Sequence, residues 1–79
     1  MANTPHELTE EFPAEAQKIH ALKAENAHFA KLVEDYHEVN RAVHAAETRV
    51  TPMDEETEEG LRRRRVALKD EIRRMLQAA

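Results

Sequence analysis

The stretch "FAKLVEDYHEVNRAV", residues Phe29 to Val43, is the most informative part of the sequence about the fold because its large side chains recur at helical spacing. Apolar residues stand at Phe29, Val33, Tyr36 and Val43, in steps of three and four that are completed by Asn40. Such a repeat makes one side of an α-helix apolar. It predicts an amphipathic helix in which Asn40 either lies buried in the packed interface or faces water where the packing is loose.

The same repeat extends in both directions from this stretch. Toward the N-terminus it continues through Asn26, Leu22, Ile19 and Phe12, and a further column at Leu32, Val39 and Ala46 widens the apolar stripe. Pro13 disfavours helical geometry in the residue before it and suits the first turn of a helix. We therefore predict one long helix from about residue 13 to about residue 49.

Two Thr-Pro pairs mark the starts of the other helices. Thr4-Pro5 and Thr51-Pro52 are each followed by an acid three residues after the threonine, at Glu7 and Asp54. Threonine as the cap, proline in the first turn and an acid in the third position are typical of helix N-termini. This pattern predicts a short helix at about 5–12, a turn at about 49–52 and a third helix at about 52–77.

The third helix has an apolar stripe of its own, interrupted by Arg65. In an antiparallel hairpin this stripe matches that of the long helix, with Leu61 near Val43 and Leu68 near Tyr36. Arg65 then lies near Asn40, and its guanidinium is within reach of a carboxylate such as Glu38. The fold class expected is all-α, a coiled-coil-like helical hairpin with the core Phe29, Leu32, Val33, Tyr36, Val43, Leu61, Leu68, Ile72 and Met75.

A long first helix would extend beyond its partner. At about 1.5 Å per residue it would be roughly 50 Å long, against 35 to 40 Å for the third helix. Its first turns would leave apolar side chains uncovered, and a chain this short rarely folds on one small core alone. We therefore expect a homo-oligomer, a dimer or higher, that associates through Phe12, Ile19, Leu22 and Asn26.

The composition disfavours an enzyme, a metal site or a bound cofactor. The chain has no cysteine and one glycine, which excludes thiolate chemistry and a glycine-rich phosphate loop. No two histidines stand four residues apart. His37 and His44 share a helix face, and the sequence leaves open whether protonation there modulates association. We expect a cytoplasmic protein without a membrane segment, a cofactor or a catalytic residue.

The run Arg62 to Arg65 raises the alternative of nucleic-acid binding. On a helix the four side chains point in different directions, and only Arg62, Lys69 and Arg73 form a basic ridge. The net charge of −4 and the lack of neighbouring aromatic residues count against that alternative. The favoured function is a protein interaction or assembly module with an unidentified protein partner.

The residues also resemble a known family. "HELTEEFP" at His6 to Pro13, His28-Phe29, Tyr36 and "LKDEI" at Leu68 to Ile72 are similar to the YdcH-like family of short bacterial proteins of unknown function. The resemblance implies a helical hairpin from the bacterial cytosol, and it brings no biochemical activity with it.

Overall fold

The computed structural model describes residues 7–79, which form four α-helices. The helices are α1 (Leu8–Glu11), α2 (Ala16–Glu25), α3 (Ala27–Glu47) and α4 (Glu55–Ala78), with a 3-10 turn at Pro13–Glu15 between α1 and α2. The two longest helices, α3 and α4, pack against each other along their length as a hairpin. The all-α hairpin expected from the apolar repeats is therefore confirmed.

The predicted long helix is broken at Asn26. The backbone of Asn26 is extended, with φ −129° and ψ 108°, and its Oδ1 accepts a hydrogen bond from the N–H of Phe29 at 3.1 Å. Asparagine is a strong N-cap because its side chain satisfies a backbone donor that the first turn leaves free. Asn26 therefore begins α3 instead of continuing an apolar stripe, which corrects both the continuous helix at 13–49 and the place of Asn26 within it.

The break brings the N-terminal third of the chain back onto the hairpin. Ile19 of α2 is 5 % exposed and Leu8 of α1 is 2 % exposed, and both belong to one core cluster with Phe29, Val33 and Ile72. A straight helix would have left Ile19 exposed, whereas the break at Asn26 lets it pack into the core of its own chain. Leu8, which the repeat does not include, supplies much of that cover.

The connection from α3 to α4 is longer than predicted. The hydroxyl of Thr48 donates to the carbonyl of His44 at 2.8 Å, and Arg49 follows with a left-handed φ of 65° that ends α3. At the other end, Oδ1 of Asp54 accepts from the N–H of Thr57 at 2.8 Å. Asp54 is therefore the cap that starts α4, in place of Thr51, and the turn spans residues 48–54 instead of 49–52.

The short N-terminal helix is present only in part. It covers Leu8–Glu11, and the N–H of Phe12 still bonds to the carbonyl of Leu8 before Pro13 follows. Thr4, Pro5 and His6 of the predicted cap lie outside the described residues. The predicted end near residue 12 agrees with the observed one because proline disfavours helical geometry in the residue before it.

Replacing Asn26 by alanine is expected to lower the free energy of unfolding by about 1 kcal/mol, because the cap on the Phe29 N–H is lost. Asn26→Asp is the matched control, since it keeps an acceptor oxygen and is expected to stay near the wild type. Urea unfolding followed by far-UV circular dichroism measures both. A gain in stability and helix content for Asn26→Ala would contradict the break, because it would mean that the straight helix is preferred.

Gly60 lies inside α4, where glycine destabilises a helix, and no close contact requires a glycine at this position. A Cβ built at Gly60 meets nothing within 4 Å, so alanine fits there. We expect Gly60→Ala to raise the free energy of unfolding by up to about 1 kcal/mol, and Ala67→Gly in the same helix to lower it by a similar amount. Thermal and urea unfolding of the two variants check this, and a destabilised Gly60→Ala would show that Gly60 is needed.

Candidate interaction surfaces

The N-terminal helix α1 is held against both helices of the hairpin by charged side chains. A carboxylate oxygen of Glu7 lies 3.0 Å from Nδ1 of His37 in α3, and Nζ of Lys69 in α4 donates to Glu11 at 2.8 Å. Glu7 immediately precedes α1 and Glu11 is its last residue, so the two contacts lie at opposite ends of the short helix. Leu8 lies between them and is buried in the core, so α1 covers the groove between α3 and α4 on this side.

Buried polar groups lie in the interface between α3 and α4. Asn40 is fully buried, and its Oδ1 accepts a hydrogen bond from Nη1 of Arg65 at 3.0 Å. The predicted proximity of Arg65 and Asn40 is confirmed, whereas the predicted contact of Arg65 with Glu38 is replaced by this bond. Because a buried polar group is costly without its partner, sliding one helix along the other by a turn is disfavoured.

Tyr36 lies one helical turn before Asn40 and is also fully buried. Burial raises the pKa of its phenol to about 12, and the negative charges of Glu11 and Glu7 add to the effect, whereas Arg65 opposes it. Both carboxylates belong to the N-terminal segment that covers the hairpin. The pKa of Tyr36 therefore reports whether that segment is in place.

The basic ridge of Arg62, Lys69 and Arg73 is engaged by carboxylates at every position. Arg62 bonds to Glu58 at 2.5 Å and to Glu47 of α3 at 3.1 Å. Lys69 bonds to Glu11, and Arg73 pairs with Asp70 one turn before it. Arg63 pairs with Glu59 one helical turn before it, at 3.7 Å, as Arg62 does with Glu58.

The hairpin has a second side, which faces away from α1 and which we call the open face. It carries a groove of about 430 Å³ lined by Lys31, Asp35, Glu38, Val39, Ala42, Leu61 and Arg64. Val39 and Ala42 lie about 160° and 140° around α3 from His37, which contacts the N-terminal segment. Leu32 and Leu68 are half-buried and stand one heptad from Val39 and Leu61, so they continue the apolar strip of the open face.

The hairpin is also the part of the chain that matches a known family. The model of a family described as "Protein of unknown function (DUF465)" matches residues 29–76, more than half of the chain. The chain belongs to the DUF465 family. This is the family that the YdcH-like resemblance indicated. The DUF465 match runs from the first turn of α3 almost to the end of α4 and leaves out α1 and α2.

No curated protein and no solved structure matches the chain, so DUF465 membership is the whole of what the comparisons add. Within residues 7–79, no group of three or more metal-ligating side chains is brought together. No helix in that range is long and apolar enough to cross a membrane.

The residues predicted for self-association fall into different places in this DUF465 chain. Ile19 is buried in the chain's own core, Phe12 and Leu22 are half-buried against it, and Asn26 is a helix cap. Self-association stays a prediction, but these four residues do not form one exposed surface.

The residues predicted for the hairpin core lie along the interface of α3 and α4. Five are buried, namely Phe29, Val33, Tyr36, Val43 and Ile72. The other four, Leu32, Leu61, Leu68 and Met75, are half-buried. Leu76 is buried at 2 % exposure although the predicted core omits it, and its step of four from Ile72 is the signal that identifies it.

His44 and His37 share a flank of α3, as the spacing predicted, and His37 is the one that meets Glu7. A groove of about 280 Å³ lies beside that pair between α1, α2 and α3. Its walls include Leu8, Ile19 and Val33, which are core residues. Because Glu7 and His37 contact each other at its edge, the polar groups there are already engaged within the chain.

Tyr36 is the sole tyrosine, so its ionisation is measurable by phenolate absorbance. In the folded protein we expect a midpoint near pH 12, against the ordinary value of 10.0 in denaturant. Because the folded pKa is the higher one, the stability that the buried phenol contributes is complete below pH 10 and is lost as the pH rises toward about 12.

Glu11→Gln is expected to lower this midpoint because it removes a negative charge near the phenol. Glu10→Gln, an exposed change in the same helical turn, is the control and is expected to leave the midpoint unchanged. Equal midpoints for wild type and Glu11→Gln would contradict the docked position of α1.

Proposed function

We propose that the protein is a non-enzymatic protein interaction or assembly module and that the open face of the hairpin is the surface it uses. The observation that carries the proposal is the asymmetry between the two sides of the hairpin. One side is covered by α1 and α2, whereas the other side carries an apolar strip with an open groove. Apolar strips with charged borders are typical of surfaces that bind another protein.

The distribution of ionisable side chains supports a binding role over a catalytic one. Glu7, Glu11 and Lys69 hold α1 on the hairpin, and Arg65 is bonded to Asn40 inside it. Because these side chains bond to one another, they stabilise the arrangement of the helices, and their polar atoms are not directed toward a substrate. A cysteine-free chain also suits the reducing cytosol, where we expect the protein to act.

A protein partner is favoured over nucleic acid by the pairing of the basic ridge. A phosphate would have to displace Glu47 and Glu58 from Arg62, Glu11 from Lys69 and Asp70 from Arg73. Displacing the carboxylate of Glu11 would also release a contact that holds α1 on α4. The net charge of −4 adds a long-range repulsion from a polyanion.

The proposal predicts that a charge in the open groove abolishes binding. Ala42 lines the groove and is half-buried, whereas Ala24 is exposed on α2, so Ala42→Glu and Ala24→Glu add the same side chain at different surfaces. Immobilised wild type, Ala42→Glu and Ala24→Glu are compared for capture of proteins from the source cell and of a second, differently tagged copy of the chain. We expect Ala24→Glu to behave as the wild type and Ala42→Glu to lose at least tenfold of the captured material.

Circular dichroism and urea unfolding establish first that both variants are folded. Equal capture by Ala42→Glu and Ala24→Glu would contradict a role for the open face. Binding of labelled duplex or single-stranded DNA at low salt, lost when Arg62, Lys69 and Arg73 are replaced together, would contradict the choice of a protein partner.

A further inference from the structure

The open face carries two oppositely charged side chains that form no ion pair or hydrogen bond within the described part of the chain. Arg62, Arg63 and Arg65 of the arginine run each bond to an acid or an amide, whereas Arg64 has no such bond with any residue from 7 to 79. Glu38 of α3 likewise forms no ion pair or hydrogen bond with residues 7–79, although its charge lies near Lys31, which pairs with Asp35. Arg64 and Glu38 are both exposed, and both line the groove of the open face.

Glu38 and Arg64 lie on opposite borders of the groove, at similar positions along the length of the hairpin. Glu38 belongs to α3 and Arg64 to α4, and the apolar residues Val39, Ala42 and Leu61 line the groove between them. The bond between Asn40 and Arg65 fixes which levels of the two helices are opposite each other. Arg64 therefore lies opposite a position about three residues, or roughly 4.5 Å, along α3 from Glu38.

We infer that the partner of the open face is a second copy of this chain, related by a two-fold axis parallel to the hairpin. That axis places α3 of one copy against α4 of the other at the same level. The Glu38 border then meets the Arg64 border of the second copy twice, once on each side of the interface. The half-buried Leu32, Leu61 and Leu68 are covered between the two hairpins, with Val39, which is already only 7 % exposed, at the floor of the groove. This completes a four-helix bundle.

Charge complementarity selects this axis over the other face-to-face arrangement. A two-fold axis perpendicular to the helices would bring the two Glu38 borders together and the two Arg64 borders together. Lys31 and Asp35 also line the α3 border, but they pair with each other at 3.1 Å, so Glu38 and Arg64 are the charges that distinguish the two arrangements. Like charges placed opposite each other oppose association, which favours the parallel axis. The inference deepens the proposed function, on which it rests, by naming the partner and its orientation, and it replaces the association surface that a straight helix predicted.

Two single charge reversals test the geometry, namely Glu38→Arg and Arg64→Glu. In either variant alone, two copies bring like charges together on both sides of the interface. In an equal mixture, a dimer of one Glu38→Arg copy and one Arg64→Glu copy has opposite charges on both sides, because each border of one copy meets the opposite sign on the other. If Glu38 and Arg64 instead interacted within one chain, mixing the two variants would not restore the dimer. The mixture therefore separates pairing between copies from pairing within one copy.

Sedimentation equilibrium of wild type, each variant and the mixture is the measurement, with circular dichroism to confirm that each is folded. We expect the wild type and the mixture to sediment at twice the chain mass and each variant alone to dissociate at least tenfold more readily. A monomeric wild type, variants that associate as the wild type does, or a mixture that stays monomeric would each overturn the inference.

The failure of this inference is distinguishable from failure of the proposed function. If the wild type is monomeric but Ala42→Glu loses proteins that Ala24→Glu still captures, the open face binds a different protein and the second copy is excluded. If Ala42→Glu changes neither capture nor mass, both the proposed function and the inference are wrong.

Discussion

The hydrogen bond from the Phe29 N–H to the side chain of Asn26 is the interaction on which the arrangement of the molecule depends. It begins α3 at a defined residue and leaves the backbone of Asn26 extended, so α2 turns back instead of continuing the axis of α3. Ile19 and Leu8 reach the core as a result. A chain this short buries little apolar surface, and folding its N-terminal third onto its own hairpin increases the core without a disulfide or a metal.

An apolar contact stabilises α1 on the hairpin, whereas its polar contacts position it. Ion pairs near the protein surface contribute about 0 to 1 kcal/mol. The contacts of Glu7 with His37 and of Glu11 with Lys69, whose side chains are partly exposed, are therefore weak on their own. Burial of Leu8 supplies the larger share of the free energy, because a fully buried leucine is worth about 1.5 to 3 kcal/mol. The two pairs determine where the short helix lies, with one contact on each helix of the hairpin.

Because α1 and α2 cover one side of the hairpin, the open face on the other side is the surface that remains for a partner. The DUF465 match corresponds to α3 and α4, the part of the chain that carries the open face. The arginine run is also explained by this geometry, since Arg62, Arg63 and Arg65 are engaged within the chain and Arg64 borders the open groove. Four adjacent arginines thus perform separate structural roles because a helix points successive side chains about 100° apart.

The helical class, the hairpin and the proximity of Asn40 and Arg65 could be predicted from the sequence, because these follow from periodic apolar side chains on two helices of known pitch. The break at Asn26, the cap at Asp54 and the burial of Leu8 became evident from the folded chain alone. An asparagine at an apolar position is compatible with a buried polar residue and with a cap, and local spacing does not separate them. Whether Asn26 is a cap or a buried polar residue depends on whether a bend there lets residues such as Ile19 join the core. The free energy gained by that burial comes from contacts between segments far apart in the chain.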